Sequence, residues 1–285
     1  MTQARTLPQA FIWRRVHSLM GLFIVLFLIE HLVTNSQAAL WIGDNGQGFV
    51  RMVNWLHNLP YLQVLELSLI GIPILIHIIW GIKILFTSKP NSYQTDGTTP
   101  ALPEYKRNHA YTWQRITSWI LLITLTIHVV KFRFIEYPEA IRINGMTHYF
   151  LKVTQDTGLP SIAKQLEVHL FDKQAIEKRE LRLKKIRSLK ANEVIIETTN
   201  FGTATLMGVR DTFKSYAWCC FYTIFVLAAT FHAFNGLWTF LITWGLIFRY
   251  AAQKAMVKFT YTLMALLTFL GLIAVWGTYW INLKA

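Results

Sequence analysis

The sequence predicts an all-α membrane protein with five transmembrane helices and a small extramembrane insertion between the third and fourth. Three observations carry that expectation. Of 285 residues, 53% are hydrophobic and only 15% charged, against about 25% charged in soluble domains. Apolar runs of about 20 residues, the length that crosses a bilayer's hydrocarbon core, recur along the chain. The formal charge of +13 resides in the connections between those runs, with no basic stripe interleaved with base-stacking aromatics, so it reads as membrane topology and not as nucleic-acid binding.

The spans fall at 16 to 36, 64 to 86, 116 to 134, 216 to 238 and 259 to 281, each dominated by Leu, Ile, Val, Phe and Trp. Arg5, Arg14 and Arg15 precede the first, Lys89, Lys106, Arg107 and Arg115 lie between the second and third, with Lys83 at the end of the second, and Arg249, Lys254 and Lys258 lie between the fourth and fifth. The opposite connections carry Arg51 and Lys284. The positive-inside rule therefore places the N-terminus on the cytoplasmic side of the inner membrane, and the long third connection is exempt from that rule. Arg14-Arg15 before an apolar run, with Ser36-Gln37-Ala38 after it, has the outline of a cleaved signal. The run is long for a signal and carries Glu30 and His31, so it is read as a mature helix.

Residues 1–134 are thus expected to hold helices one to three, 135–215 an outer-side insertion, and 216–285 helices four and five. Within the insertion, Lys173 to Lys190 is charged with Leu and Ile at helix-like intervals. Val194-Ile195-Ile196 and Gly202 to Val209 lean toward strand. A solvated spacer and a partner-binding lobe are both open for this segment. Cys219 and Cys220 sit adjacent inside an apolar run and suggest neither a disulfide framework nor a metal knuckle, and the absence of Cys-x-x-Cys-His excludes covalent haem attachment.

Four of the nine histidines lie deep inside spans, away from their ends: His31, His77, His128 and His232, one on each of the first four helices. Ionisable groups at such depth are costly and face the bundle interior. At 1.5 Å per residue, His31 and His128 are roughly 22 and 20 Å from the inner surface, while His77 is roughly 9 Å from it and His232 roughly 24 Å below the outer one. Two pairs at two levels suit bis-histidine ligation of two haems in a bundle core. Four separately bonded core histidines, or a metal site of a transporter, are the other readings, although a zinc or copper site wants its ligands at one level. Gly21 and Gly236 would let a flat macrocycle approach the backbone. Pro73 removes a helix hydrogen bond four residues before His77 and can bend that helix.

At these residues the chain resembles the cytochrome b membrane anchor of succinate dehydrogenase and fumarate reductase, of the single-chain, five-helix, two-haem type. The matching stretches are Arg14-Arg15-Val16-His17-Ser18-Leu19-Met20-Gly21, Leu28-Ile29-Glu30-His31-Leu32-Val33-Thr34-Asn35, and Phe231-His232-Ala233-Phe234-Asn235-Gly236-Leu237-Trp238 continuing to Thr243-Trp244-Gly245. The resemblance implies two haem b groups, the inner one ligated by His77 and His232 and the outer by His31 and His128, and flavoprotein and iron–sulfur partner subunits on the cytoplasmic side. It also implies relay of electrons from succinate to a membrane quinone. Arg14, Arg15 and His17 are candidates to pair with inner-haem propionates, with interfacial anchoring as their plainer role. Two departures stand out: some 80 residues join helices three and four, where bacterial members have a short connection, and Thr230 occupies a position that is glutamate in a proton-moving branch.

Electrons moving from the inner to the outer side gain about 2.3 kcal/mol per 100 mV, which supports reduction of a low-potential acceptor such as menaquinone. Glu66 at the outer end of the second helix and Glu30 beside His31 are candidates for proton exchange with quinone. The alternatives are the dihaem anchor of another quinone-linked oxidoreductase, such as a hydrogenase or formate dehydrogenase, and a haem-free anchor or metal-ion transporter.

Overall fold

The computed structural model describes residues 7–41, 44–87, 92–93, 102–172, 183 and 189–284. Five of its helices are long and apolar enough to cross a membrane: α1 (Gln9–Ser36), α3 (Leu62–Thr87), α4 (Lys106–Ile135), α7 (Tyr216–Thr243) and α8 (Tyr250–Lys284). The all-α membrane architecture expected from the sequence is thus the one observed. The helices extend past the apolar runs at several ends, so that Arg14 and Arg15 join His17 within α1, and Gln114 and Arg115 lie within α4. A shorter helix, α2 (Gln47–His57), lies in the first connection.

Three spans contain a π-helical turn, at Leu67–Gly71, Val130–Ile135 and Ile273–Gly277. The first has a local cause. Pro73 has no backbone N–H and its ring crowds the preceding turn, and the wider π register at Leu67–Gly71 ends two residues before it, absorbing the misfit.

The segment after α4 folds into a lobe. In chain order it comprises β1 (Glu139–Ile143), β2 (Met146–Thr154), α5 (Leu159–Gln165), β3 (His169–Phe171), β4 (Glu193–Thr198) and α6 (Phe201–Thr212). The strands form one antiparallel sheet in the order β1-β2-β4-β3, with Leu151 opposite Ile196 and Val153 opposite Val194. Phe150, Val153, Ile195, Ile196 and Leu206 are almost wholly buried, and α6 packs on α2, β2 and β4. The charged stretch expected at Lys173 to Lys190 lies outside the described residues, apart from 183, 189 and 190.

Val194-Ile195-Ile196 is strand, as its β-branched residues suggest, but Gly202 to Val209 is helix, which corrects the sequence expectation. The cause is a cap and a close approach. The Asn200 side chain accepts a hydrogen bond from the Thr203 amide at 3.0 Å, fixing the N-terminus of α6. The Gly202 amide donates to Asn54 Oδ1 at 2.8 Å, and a Cβ at Gly202 would stand 2.6 Å from the Val50 carbonyl oxygen. Tertiary contact with α2 thus overrides local propensity. Burial lowers the pKa of Arg210 in α6, while the negative charge of Asp44 acts to raise it.

By compactness the chain comprises two units. The first contains residues up to Glu30, Gln63–Thr124 and Phe225–Thr268; the second contains His31–Leu62, Leu125–Ile224 and Phe269 onward. Helices α1, α4, α7 and α8 contribute to both. Within the first, Thr230, fully buried, donates to the Val226 carbonyl and bonds Thr268 of α8. Within the second, the Trp276 indole of α8 donates to Thr223 of α7.

Candidate haem sites

The first unit brings His77 of α3 and His232 of α7 together, their ring centres 6.2 Å apart and their planes at 79°. Each ring is fixed through Nδ1. His77 Nδ1 faces the His17 carbonyl oxygen at 3.0 Å, and since a carbonyl only accepts, this nitrogen carries the proton. His232 Nδ1 faces Thr117 Oγ1 at 3.3 Å. The Thr117 hydroxyl donates its one proton to the Trp113 carbonyl at 2.8 Å, so it meets His232 as an acceptor, and that Nδ1 is likewise protonated. Both histidines are therefore held in the tautomer that leaves an Nε2 lone pair for a metal, the arrangement in which outer contacts orient a ligating imidazole.

The second unit brings His31 of α1 and His128 of α4 to 5.8 Å between ring centres, with planes at 84°. His128 Nδ1 lies 3.1 Å from the Tyr222 hydroxyl. Asn35, one turn beyond His31, donates to the His31 carbonyl at 2.8 Å and lies 3.4 Å from its Nδ1.

These separations can be tested against the group they would hold. Two imidazole-to-metal bonds of about 2.0 Å, plus about 1.2 Å from each ring centre to its nitrogen, put ring centres about 6.4 Å apart when the rings sit on opposite sides of one ion. Both pairs are close to that spacing. Among the described residues no group of three or more His, Cys, Asp or Glu side chains is arranged to hold a metal ion, so the donor sets are pairs, as a macrocycle with four nitrogens of its own requires. A third feature concerns the first unit. His17 Nδ1, Trp80 Nε1, Arg115 Nε and Trp238 Nε1 are buried with no hydrogen-bond partner. Three of these atoms are obligate donors, and unsatisfied buried donors call for acceptors, which haem carboxylates would supply.

The other residues expected from sequence occupy distinct positions. Arg14 is exposed. Arg15 donates to the Thr243 carbonyl at the end of α7 at 3.1 Å and lies over the Phe11 ring, so it joins two helices. His17 is nearer the pair than its sequence position suggests: its ring stacks on His77 at 3.9 Å and 15°, and its carbonyl accepts from the same residue. Glu30 is half-buried on α1 directly before His31. Glu66 is half-buried on α3, directly before the π turn. Gly21 lies against His77, where a Cβ would come within 3.0 Å of Cε1, and Gly236 faces Gln114.

Sequence reasoning overlooked the residues that hold the histidines: Thr117, Gln114, Asn235, Tyr222 and Asn35. The available signal was uncharged polarity within apolar runs. Gln114 and Asn235, whose side chains bond each other at 2.7 Å, are the clearest cases, because amides in membrane helices bond across interfaces.

No family model matches the chain, and no solved structure matches it. It is similar to the succinate dehydrogenase cytochrome b558 subunit of Bacillus subtilis (strain 168), with 27% identity over 269 residues that cover 94% of this chain and 96% of the relative.

Proposed function

We propose that the chain is the membrane-anchoring dihaem cytochrome b subunit of a succinate dehydrogenase, relaying electrons from an iron–sulfur subunit through two b-type haems to a membrane quinone, menaquinone being the preferred acceptor. The observation that carries this reading is the pair of facing imidazoles in each unit, spaced to clasp one iron between them. Similarity to a named cytochrome b558 subunit over nearly the whole chain supports the succinate dehydrogenase assignment over other dihaem anchors. The dicarboxylate site would then belong to a flavoprotein partner, and both partner subunits would dock on the cytoplasmic side of the inner membrane, where the N-terminus also lies.

A haem b closed on both faces by imidazole supplies a one-electron centre that does not bind oxygen. The protein's own part is orientation. His77 and His232 would hold the inner group, with His17 and Thr117 fixing their Nδ1–H; His31 and His128 would hold the outer, with Tyr222 beside His128. Trp80, Arg115 and Trp238 offer unsatisfied N–H groups suited to inner carboxylates, with the unpartnered His17 Nδ1 as a fourth candidate, ahead of Arg14, which is exposed, and Arg15, which is engaged with Thr243. Glu66 and Glu30 are assigned to proton exchange with quinone.

Membranes expressing the complete complex test the reading through a reduced-minus-oxidised spectrum and haem per chain. Two b-type haems are expected in the wild type and one in each of His77→Leu, His232→Leu, His31→Leu and His128→Leu, with the first two variants losing the same haem. Colourless wild-type protein, or four variants that each retain both haems, overturns it.

A further inference from the structure

We infer that Gln114 and Thr117 of α4 are the positioning residues of the inner haem site, gripping His232 at two points, its backbone and its ring, although α4 supplies neither inner ligand. The inference rests on the haem reading above and names a part of the site that the ligand set does not contain. The two residues stand three apart and so project from one face of their helix, and both reach the same residue of α7. Gln114 Nε2 donates to the His232 carbonyl oxygen at 3.0 Å. Thr117 Oγ1 accepts from His232 Nδ1 at 3.3 Å.

The Gln114 contact is the less expected one. A helix carbonyl already accepts from the amide four residues on, here Gly236, so Gln114 supplies a second donor to an oxygen that is not in need of one. The other end of the Gln114 amide accepts from Asn235 Nδ2 at 2.7 Å, which fixes its orientation, because a carbonyl can only face an N–H. Gly236 lies beside this contact: a Cβ there would stand 3.6 Å from Gln114 Nε2, an ordinary van der Waals distance that alanine would accommodate. Asn235, Gly236 and His232 thus form one docking face on α7 for a single α4 side chain. This contact fixes the height and rotation of α7 at its ligand.

Thr117 then fixes the ring. Its hydroxyl proton is committed to the Trp113 carbonyl at 2.8 Å, with the Gln114 carbonyl at 3.1 Å, leaving only lone pairs for His232. Thr117 is 5% exposed, so water does not compete for that bond. The backbone grip sets where the ring begins and the hydroxyl sets which nitrogen carries the proton. Removing an outer contact of this kind costs about 10- to 100-fold in metal-site affinity.

The test uses the assembled complex in membranes, with His77→Leu identifying the inner-haem signal by its loss. Thr117→Val keeps the shape and removes the hydroxyl; Thr117→Ser restores it. The expected result is an altered inner-haem electron paramagnetic resonance signal in Thr117→Val, about 10- to 100-fold weaker retention of that haem against excess apomyoglobin, an unchanged outer haem, and recovery in Thr117→Ser. Gln114→Leu is expected to weaken retention of the same haem. A Thr117→Val protein with wild-type signal and retention overturns the inference, as does equal loss in Thr117→Val and Thr117→Ser, which would mean that shape matters and the hydroxyl does not. A wild-type complex without haem defeats the underlying reading instead, and is told apart in the control sample.

Discussion

Gly21→Ala separates haem binding from folding. The added Cβ would stand 3.0 Å from His77 Cε1 and 3.3 Å from its Nδ1, closer than carbon normally packs, so the ring must yield by a few tenths of an ångström. It has little room, because it is stacked on His17 at 3.9 Å and bonded to the His17 carbonyl at 3.0 Å. Loosening that hydrogen bond costs about 0.5–1.5 kcal/mol, while alanine in place of glycine within a helix returns about 0.5–1 kcal/mol. The two nearly cancel, and Tm is expected to stay close to that of the wild type. The ligand is not so protected. A displaced Nδ1 contact costs about 10- to 100-fold in affinity for the bound metal, or about 1.4–2.7 kcal/mol. The assay is haem per chain by pyridine haemochrome alongside thermal unfolding of the apoprotein. One haem held weakly in a protein of unchanged Tm is expected, with Gly21→Leu losing that haem outright. Gly21→Leu binding two haems at full occupancy would refute the argument that His77 has no space to give.

Three further outcomes are expected. In the lobe, Asn200→Ala removes the α6 cap and costs about 1 kcal/mol, whereas Gly202→Ala drives a Cβ to 2.6 Å from the Val50 oxygen and costs about 1–3 kcal/mol; denaturant unfolding that ranks them oppositely would show that α2 moves aside. Glu66→Gln is expected to lower quinone reduction while leaving both haem spectra intact, and full turnover would remove Glu66 from proton exchange. The near-perpendicular rings, 79° and 84°, should give strongly anisotropic low-spin ferric signals at both haems; a rhombic signal typical of parallel rings at either would contradict the ring orientation.

What could be read from the sequence, and what could not, follows the size of each residue's energetic signature. An apolar run long enough to span a bilayer is hard to mistake, and a histidine inside one is conspicuous because it is expensive there; the five spans were legible for the first reason and the four candidate ligands for the second. Thr117 carries no such mark, since a threonine in a membrane helix can satisfy its hydroxyl on the carbonyl one turn back, as Thr124 and Thr223 do. Only the neighbouring helix reveals that its lone pairs face a ring. His17 was legible as a basic residue at the membrane edge but not as a stacking partner, because that contact depends on how α1 meets α3. α2 was missed because its eleven residues, with Arg51, Asn54 and Gln47, read as a polar connection; its buried side, Gly48, Phe49 and Val50, becomes meaningful only against α6.

On the proposed dihaem reading, the way ligating and holding roles are shared would explain why four helices suffice for two sites. In the first unit α3 and α7 provide His77 and His232, while α1 and α4 hold them, through the His17 carbonyl and through Gln114 and Thr117. In the second unit α1 and α4 provide His31 and His128, and α7 holds the latter through Tyr222. On the haem reading, helices that orient in one unit would coordinate in the other, so each of these four spans would need only one costly imidazole ligand. The polar residues that orient those imidazoles are cheap ones, a hydroxyl or an amide that satisfies its own needs at the same time. α8 takes no part in this exchange, and its side chains reach α7 through Thr268 and Trp276 alone among the bonds described above. A fifth histidine there would add desolvation cost without a facing partner, which gives a physical reason for α8 to carry none.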